Sequence, residues 1–205
     1  SPDLRQQLLK HKIKKINRVL YSHMHGDQTH GINDLRAFYM NSKKQIKVYA
    51  DKDTSSYLKK TFSYIFKSFS REYPATLKLN KLNNNFYTRN YNKKVNIKSV
   101  MVEHGKVKSN CFIINNKLAY ISDVSKIYEK DFKNFRNLDY FIVDCLLYKS
   151  HPSHFSLENA LSMVKMFKPK KSILTNLSPA IDYKILKKHL PKNVMPAHDG
   201  LTIKL

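Results

Sequence analysis

The sequence is poor in the residues that build covalent frameworks and membrane spans. Two cysteines, Cys111 and Cys145, stand among 205 residues. They are too few for a disulfide scaffold, so a reducing, cytoplasmic compartment is expected. No run of 18 apolar residues occurs, and the opening SPDLRQQLLK lacks the apolar heart of a secretory signal; a soluble chain without membrane partners follows as the expectation. Acidic residues are scarce, 15 against 38 basic ones, giving a formal net charge of +23. Arginine is scarce too: the basic set holds only Arg5, Arg18, Arg36, Arg71, Arg89 and Arg136 beside its many lysines. Reading base edges and phosphates in a forked, two-bond geometry favours the guanidinium, so the composition disfavours a sequence-specific nucleic-acid reader. Internal repeats and linkers are absent, and one domain over residues 1–205 is expected. The chain also starts without Met and runs at once into a helical pattern, which reads as a processed chain or a fragment.

What is present is enough for a core. Hydrophobic residues make up 41% and aromatics 12% of the chain, too apolar for disorder. Apolar spacing alternates between the strand and helix periods. Pro2 and Asp3 open a helix carrying Leu4, Leu8, Leu9 and Ile13. A strand is expected at 18–23, a helix at 31–40, a strand at 44–51 and a helix at 54–66. Residues 67–92 mix aromatics with Lys and Asn, LNKLNNNFYTRNYNKK is near low complexity, and the region reads as a surface loop around one strand at 76–82. Strands follow at 95–104 and 109–123, the latter split by a hairpin turn at Asn115-Asn116, because Asn tolerates positive φ. Then come a strand at 138–147, a helix at 157–167, a strand at 170–176, a helix at 182–190 and a last strand, LTIKL. Strands alternating with helices predict an α/β fold.

One cluster carries chemistry. His23, His25, Asp27 and His30 lie in HMHGDQTHG, where an apolar strand gives way to a loop. Imidazoles two residues apart at a strand end can converge on one ion, and a carboxylate two further on can reach a neighbouring ion. A bare HxH is more often a surface turn; the carboxylate and the preceding apolar strand favour the metal. His104, Asp123 and His154 stand at further strand ends or helix starts, where active sites of layered folds gather. Singly, Asp123 reads as a cap and His154 as an exposed loop residue. His11 and His189 read as solvated, His30 as a residue that orients the loop, Cys145 as a packed small hydrophobe, and Asp144 as an acceptor for a ligand histidine.

Taken together, SPDLRQQLL, VLYSHMHGDQTHGINDLR, VEHG, AYISDVS, FIVDCLLYKSHPSHFSLENAL, KPKKSILTNLS and HDGLTI resemble, in order and spacing, the metallo-beta-lactamase fold superfamily and its phosphodiesterase branch, which includes phosphoribosyl cyclic phosphate phosphodiesterase. The resemblance implies a four-layer αββα sandwich with a two-metal site. The family's glycine-containing first strand and hairpins, about a quarter of its domain, have no counterpart ahead of SPDLR, so the amino-terminal sheet is expected to be incomplete. By resemblance, His23, His25 and His104 hold the first metal, Asp123 bridges, Asp27 serves the second metal, and His154 protonates the leaving group or steadies the phosphoryl oxygens. His151 is a candidate substrate contact and Asp199 a structural aspartate. Gln28 and Asn176 stand where the family has histidines, leaving two amides as weak second-site ligands; Mn²⁺ or Mg²⁺ accepts an amide oxygen more readily than Zn²⁺ does. One or two ions of zinc or manganese per chain are expected.

The resulting reading is a metal-dependent hydrolase that cleaves a small cyclic phosphate or nucleotide-like diester with metal-activated water. Two alternatives stay open. The first is a degenerate member that binds a ligand or partner without turnover, which Gln28 and Asn176 favour. The second is an RNA-processing nuclease, favoured by the basic charge and opposed by the scattering of the lysines. Nucleic acid is therefore admitted as a partner but not preferred, and a homo-oligomer stays open.

Overall fold

A computed structural model describes residues 1–90 and 93–205. The chain divides into two compact units, residues 1–83 and 84–205. Each has its own buried core, and the two cores share no residue.

The first unit runs α1 (Leu4–Lys10), β1 (Arg18–Leu20), α2 (Gly26–Thr29), a 3-10 segment (His30–Leu35), α3 (Arg36–Ser42), β2 (Ile46–Ala50), α4 (Lys52–Thr61), α5 (Ser63–Phe66) and β3 (Leu77–Lys81). Its three strands are parallel in the order β1-β2-β3, with Val19 opposite Val48 and Val48 opposite Leu79. Parallel strands require crossovers, and the helices between them supply the apolar faces that cover the sheet. Ile32, Leu35, Val48, Leu58, Ile65 and Leu77 are buried in this core. Asp51 starts α4 by accepting the Thr54 backbone N–H, at 2.9 Å, satisfying one of the orphan donors of the first turn. Gly31 has no room for a side chain, since a Cβ there would lie 2.1 Å from the Ser1 carbonyl oxygen and 2.7 Å from the Leu4 Cβ.

The second unit runs β4 (Asn85–Asn90), β5 (Lys93–His104), β6 (Val107–Ile114), β7 (Leu118–Ile121), a 3-10 segment (Glu129–Phe135), β8 (Tyr140–Asp144), α6 (Leu157–Phe167), β9 (Lys171–Thr175), α7 (Tyr183–His189) and β10 (Val194–Pro196). They form one seven-stranded sheet in the order β10-β9-β8-β7-β6-β5-β4. The pairs from β10 to β7 are parallel, and those from β7 to β4 are antiparallel. Phe135, Phe141 and Phe167 form the aromatic heart of its core, Phe135 and Phe167 stacked with centroids 5.2 Å apart. Ser156 caps α6 in a reciprocal box with Asn159, so two of the otherwise orphaned donors are satisfied.

Most expected elements are present, and the departures have physical causes. The first helix ends at Lys10, leaving Ile13 beyond it and Leu9 exposed to solvent. The helix expected at 54–66 breaks at Phe62, whose φ of −123° is non-helical and whose ring is buried. Residues 85–90, expected in a loop, are strand β4 paired with β5; positions 91 and 92 of that expected loop lie outside the described residues. LTIKL makes no strand; the last strand is Val194–Pro196, held by parallel pairing with β9. Asn115 and Asn116 take φ of 53° and 54°, with the Lys117 N–H bonded to the Ile114 carbonyl at 2.9 Å, as the hairpin turn requires. Among the described residues, no helix is long and apolar enough to cross a membrane.

Candidate metal centre

In the first unit the chain leaves β1 at Leu20, and the Tyr21 N–H still donates to the Tyr49 carbonyl at 2.9 Å. This bond fixes the direction of the segment that follows. His23 is buried, with its Nδ1 3.1 Å from the Ser22 hydroxyl, and its ring meets that of His25 edge-on with centroids 4.5 Å apart. His25 has extended backbone and opens α2, and its carbonyl accepts the Thr29 hydroxyl at 2.9 Å. Asp27 lies in the first turn of α2 and accepts the Gln28 side-chain N–H at 2.8 Å. Partial burial pushes the Asp27 carboxyl up, but the Gln28 bond and the neighbouring His23 and His25 outweigh it and hold the group below the usual carboxylate range. His30 turns away to other partners: its Nε2 lies 3.2 Å from the Tyr57 hydroxyl and its ring packs edge-on against Phe62.

In the second unit, sheet direction gathers the candidate residues. Strands β7, β8 and β9 are parallel, so Asp123 just after β7, Asp144 at the end of β8 and Asn176 just after β9 share one sheet edge. Two antiparallel steps, β7 to β6 and β6 to β5, restore the direction and bring His104, the last residue of β5, to the same edge. The sequence shows these residues as strand ends; only strand order shows that they are neighbours.

His104 is buried, and its Nδ1 lies 2.6 Å from the Ser153 carbonyl. A carbonyl can only accept, so Nδ1 carries the proton and Nε2 is the lone-pair atom. His154 lies edge-on to His104 with centroids 4.6 Å apart, and its Nδ1 meets the Asp144 carboxylate at 2.8 Å. His104, Asp123 and His154 each offer a ligand atom within 4.8 Å of the others. Asp123 is 1% exposed, and its Oδ2 has no hydrogen-bond partner among the described residues. A buried carboxylate oxygen left bare costs folding energy, and a divalent cation held with imidazole nitrogens would offset that cost. The His104 nitrogen and the Asp123 carboxylate oxygen are donors suited to zinc or manganese, with the His154 imidazole beside them, so the residues present fit such an ion.

The supporting groups are equally specific. Asp144 is fully buried and accepts the Val124 backbone N–H at 3.1 Å as well as His154. Burial pushes its carboxyl up against the opposing pull of those two bonds. Asn176 sits at φ of 60° with its side-chain nitrogen 3.1 Å from Asp144 Oδ1 and 3.5 Å from Asp123 Oδ1. Both amides expected as weak ligands, Gln28 and Asn176, thus turn their nitrogens toward carboxylates. His151 accepts the Ser153 N–H at 3.2 Å, and its ring centroid is 5.2 Å from that of His154. His198 and Asp199 lie in an exposed turn, with His198 Nδ1 3.1 Å from the Asp199 carbonyl. Cys111 and Cys145 are buried and burial pushes both thiols up, that of Cys145 to about 12, so neither is a ready nucleophile. The sequence reading misses Ser22 and Ser153: the first carries no motif, and the second acts through a backbone carbonyl that any residue would supply.

Comparison with known proteins places the chain in a family. A model of the beta-lactamase superfamily domain matches residues 1–175, and the chain belongs to that family. Its α/β fold is the metallo-beta-lactamase fold, shared by hydrolases that bind divalent metals. The crystal structure of a diphosphatase from the PhnP family is 27% identical, with a TM-score of 0.88 over 100% of this chain and 78% of that one. The short form of human tRNase Z (18% identity, TM-score 0.71, 98% and 84% covered) and Zn²⁺-bound PqqB from Methylobacterium extorquens (15%, 0.75, 100% and 81%) share the fold. A curated relative, an octanoyltransferase of Porphyromonas gingivalis, is 26% identical over 207 residues, which span 98% of this chain and 40% of that protein.

Proposed function

We propose that residues 1–205 work as one catalytic domain, a metal-dependent phosphodiesterase acting on a small cyclic phosphate or nucleotide-like diester. The observation that carries this reading is the bare, buried Asp123 Oδ2 beside the imidazoles of His104 and His154. His23, His25, His104 and Asp123 would hold a zinc or manganese ion, and Asp27 would serve a second. When bound, the ion would supply Lewis acidity and a water acidified toward neutral pH. The Ser153 carbonyl fixes His104 in the tautomer that presents Nε2. Asp144 holds His154 by Nδ1, leaving Nε2 to hand a proton to the departing alkoxide. His151, beside His154, contacts the substrate. The likeness to a diphosphatase supports chemistry at a phosphorus–oxygen bond.

The test joins elemental analysis to hydrolysis of bis(p-nitrophenyl) phosphate. Zinc or manganese is expected at one or two ions per chain, and Asp123→Asn and His25→Ala each lower turnover by about a hundredfold or more. Protein free of both metals, or a His25→Ala variant with parental cleavage, overturns the proposal. The amide nitrogens of Gln28 and Asn176 favour a second reading, a binding protein without turnover; a metal-loaded but inert protein would support it.

A further inference from the structure

We infer that a groove of the first unit is a docking site for single-stranded nucleic acid, one base stacking among Tyr64, Phe69 and Tyr73 while Arg36 meets an adjoining phosphate. The groove encloses about 400 Å³ and is lined by these four residues together with Asn33 and Pro74, among others. That volume lies in the range of roughly 300–1,000 Å³ typical of ligand clefts.

Exposure points to a ligand. Tyr64, Phe69 and Tyr73 are 50%, 69% and 65% exposed, and they are the only large aromatic side chains so exposed in residues 1–83. All three line this one groove. Scattered apolar residues on a surface need no explanation, but a cluster of aromatics in a concavity does.

The ring-bearing segment is also held in shape. The Phe69 N–H donates to the Tyr73 carbonyl at 3.1 Å, closing a loop with one ring at each end. Inside it the Ser70 hydroxyl oxygen accepts the Glu72 and Tyr73 N–H groups at 3.2 and 3.3 Å. The Ala75 N–H donates to the Ser68 hydroxyl at 3.0 Å, and the Tyr64 hydroxyl donates to Asn33 Oδ1 at 2.5 Å. A platform fixed beforehand loses less freedom on binding.

Charge decides the occupant. The lining carries Arg36 and no carboxylate. Lys67 and Arg71 are exposed on the same loop, and the Glu72 carboxylate there accepts the Ser70 hydroxyl at 2.7 Å. Aromatic faces beside cations, on a chain of net charge +23, match the stacking platform and phosphate track of single-strand binding. Such stacking tolerates any base, so the scarcity of Arg, which argues against reading base edges, does not argue against it.

The test is fluorescence anisotropy with a fluorescein-labelled thymidine dodecamer, titrated with the full chain at 50 and 200 mM salt. Phe69→Ala and Tyr73→Ala are each expected to weaken binding about tenfold, with unchanged melting temperature and unchanged metal content. Arg36→Gln is expected to weaken it and to lower the slope of log affinity against log salt by about 0.7. Parental dodecamer affinity in both aromatic variants overturns the inference, since binding would then be diffuse attraction to lysines. Thymidine monophosphate competing as well as unlabelled dodecamer overturns it in favour of a mononucleotide pocket. Self-association abolished by Phe69→Ala overturns it in favour of a second copy of this chain. None of these outcomes depends on the phosphodiesterase reading, which stands or falls on metal content and cleavage.

Discussion

Gly105→Ala tests how the sheet end that carries His104 is held. Gly105 occupies the first central position of the two-residue turn between β5 and β6, at φ of 59°, a position that glycine takes without strain. Alanine there would meet two costs. The left-handed backbone costs roughly 1–2 kcal/mol for an L-residue. The new Cβ would also lie 2.3 Å from the Ser153 Oγ and 3.0 Å from the Ser153 Cβ. Rotating the hydroxyl relieves the first contact but not the second, so Ser153 must move, at about 1–3 kcal/mol by analogy with overpacking. The sum is about 2–5 kcal/mol, which for a chain of this size lowers the melting temperature by roughly 4–20 °C. Because the Ser153 carbonyl holds His104 at 2.6 Å, affinity for the proposed divalent ion should fall about tenfold or more as well. Calorimetry and a competitive zinc titration read the two effects. Adding Ser153→Gly to Gly105→Ala removes both close side-chain atoms and should recover the contact part of the loss, leaving the torsional part. A Gly105→Ala protein that melts within a degree of the parent, or a double variant that recovers nothing, would refute this account of the turn.

Three other substitutions probe separate features. Ser156→Ala removes the cap of α6 and should cost about 1 kcal/mol in a urea titration. Phe167→Ala empties a position packed against Phe132, Phe135 and Phe141 and should cost about 3–5 kcal/mol. Asp139 accepts Lys170 at 2.6 Å, and that bond holds its carboxyl below the usual range. Its contribution is therefore present above the ordinary carboxylate pKa, near about 4, and is lost as pH falls through the lower folded value. Asp139→Asn should flatten the acid limb of a stability-against-pH curve, and the parent should lose the same slope in 1 M salt.

The legible part of the molecule is the part governed by local pattern. Helix α6 and the Asn115-Asn116 turn follow from spacing and from the αL tolerance of Asn. Strand β4 does not, because Asn85 and Asn90 are poor strand formers in an Asn-rich stretch, although Phe86 and Thr88 are half-buried while Asn85 and Tyr87 are exposed, a true period of two. Pairing with β5, not propensity, makes it a strand. LTIKL shows the reverse case, an alternating pattern with no strand partner in the described residues. The break at Phe62 is invisible because Leu58, Phe62 and Ile65 keep helical spacing across it. In the candidate site, side chains with motif spacing are legible one by one. Their juxtaposition at one sheet edge depends on strand order, and the hold on His104 depends on a carbonyl.

The two cores described above, one around Leu35 and Leu58 and the other around Phe135, Phe141 and Phe167, share no side chain. Local opening is therefore to be followed within each region. Amide hydrogen exchange read peptide by peptide does so, and Phe167→Ala would lower the protection of residues 84–205. Within residues 84–205, transient opening would part His104 from Asp123 and His154, so exchange of the amides at the ends of β5 and β7 gauges fluctuations far smaller than denaturation.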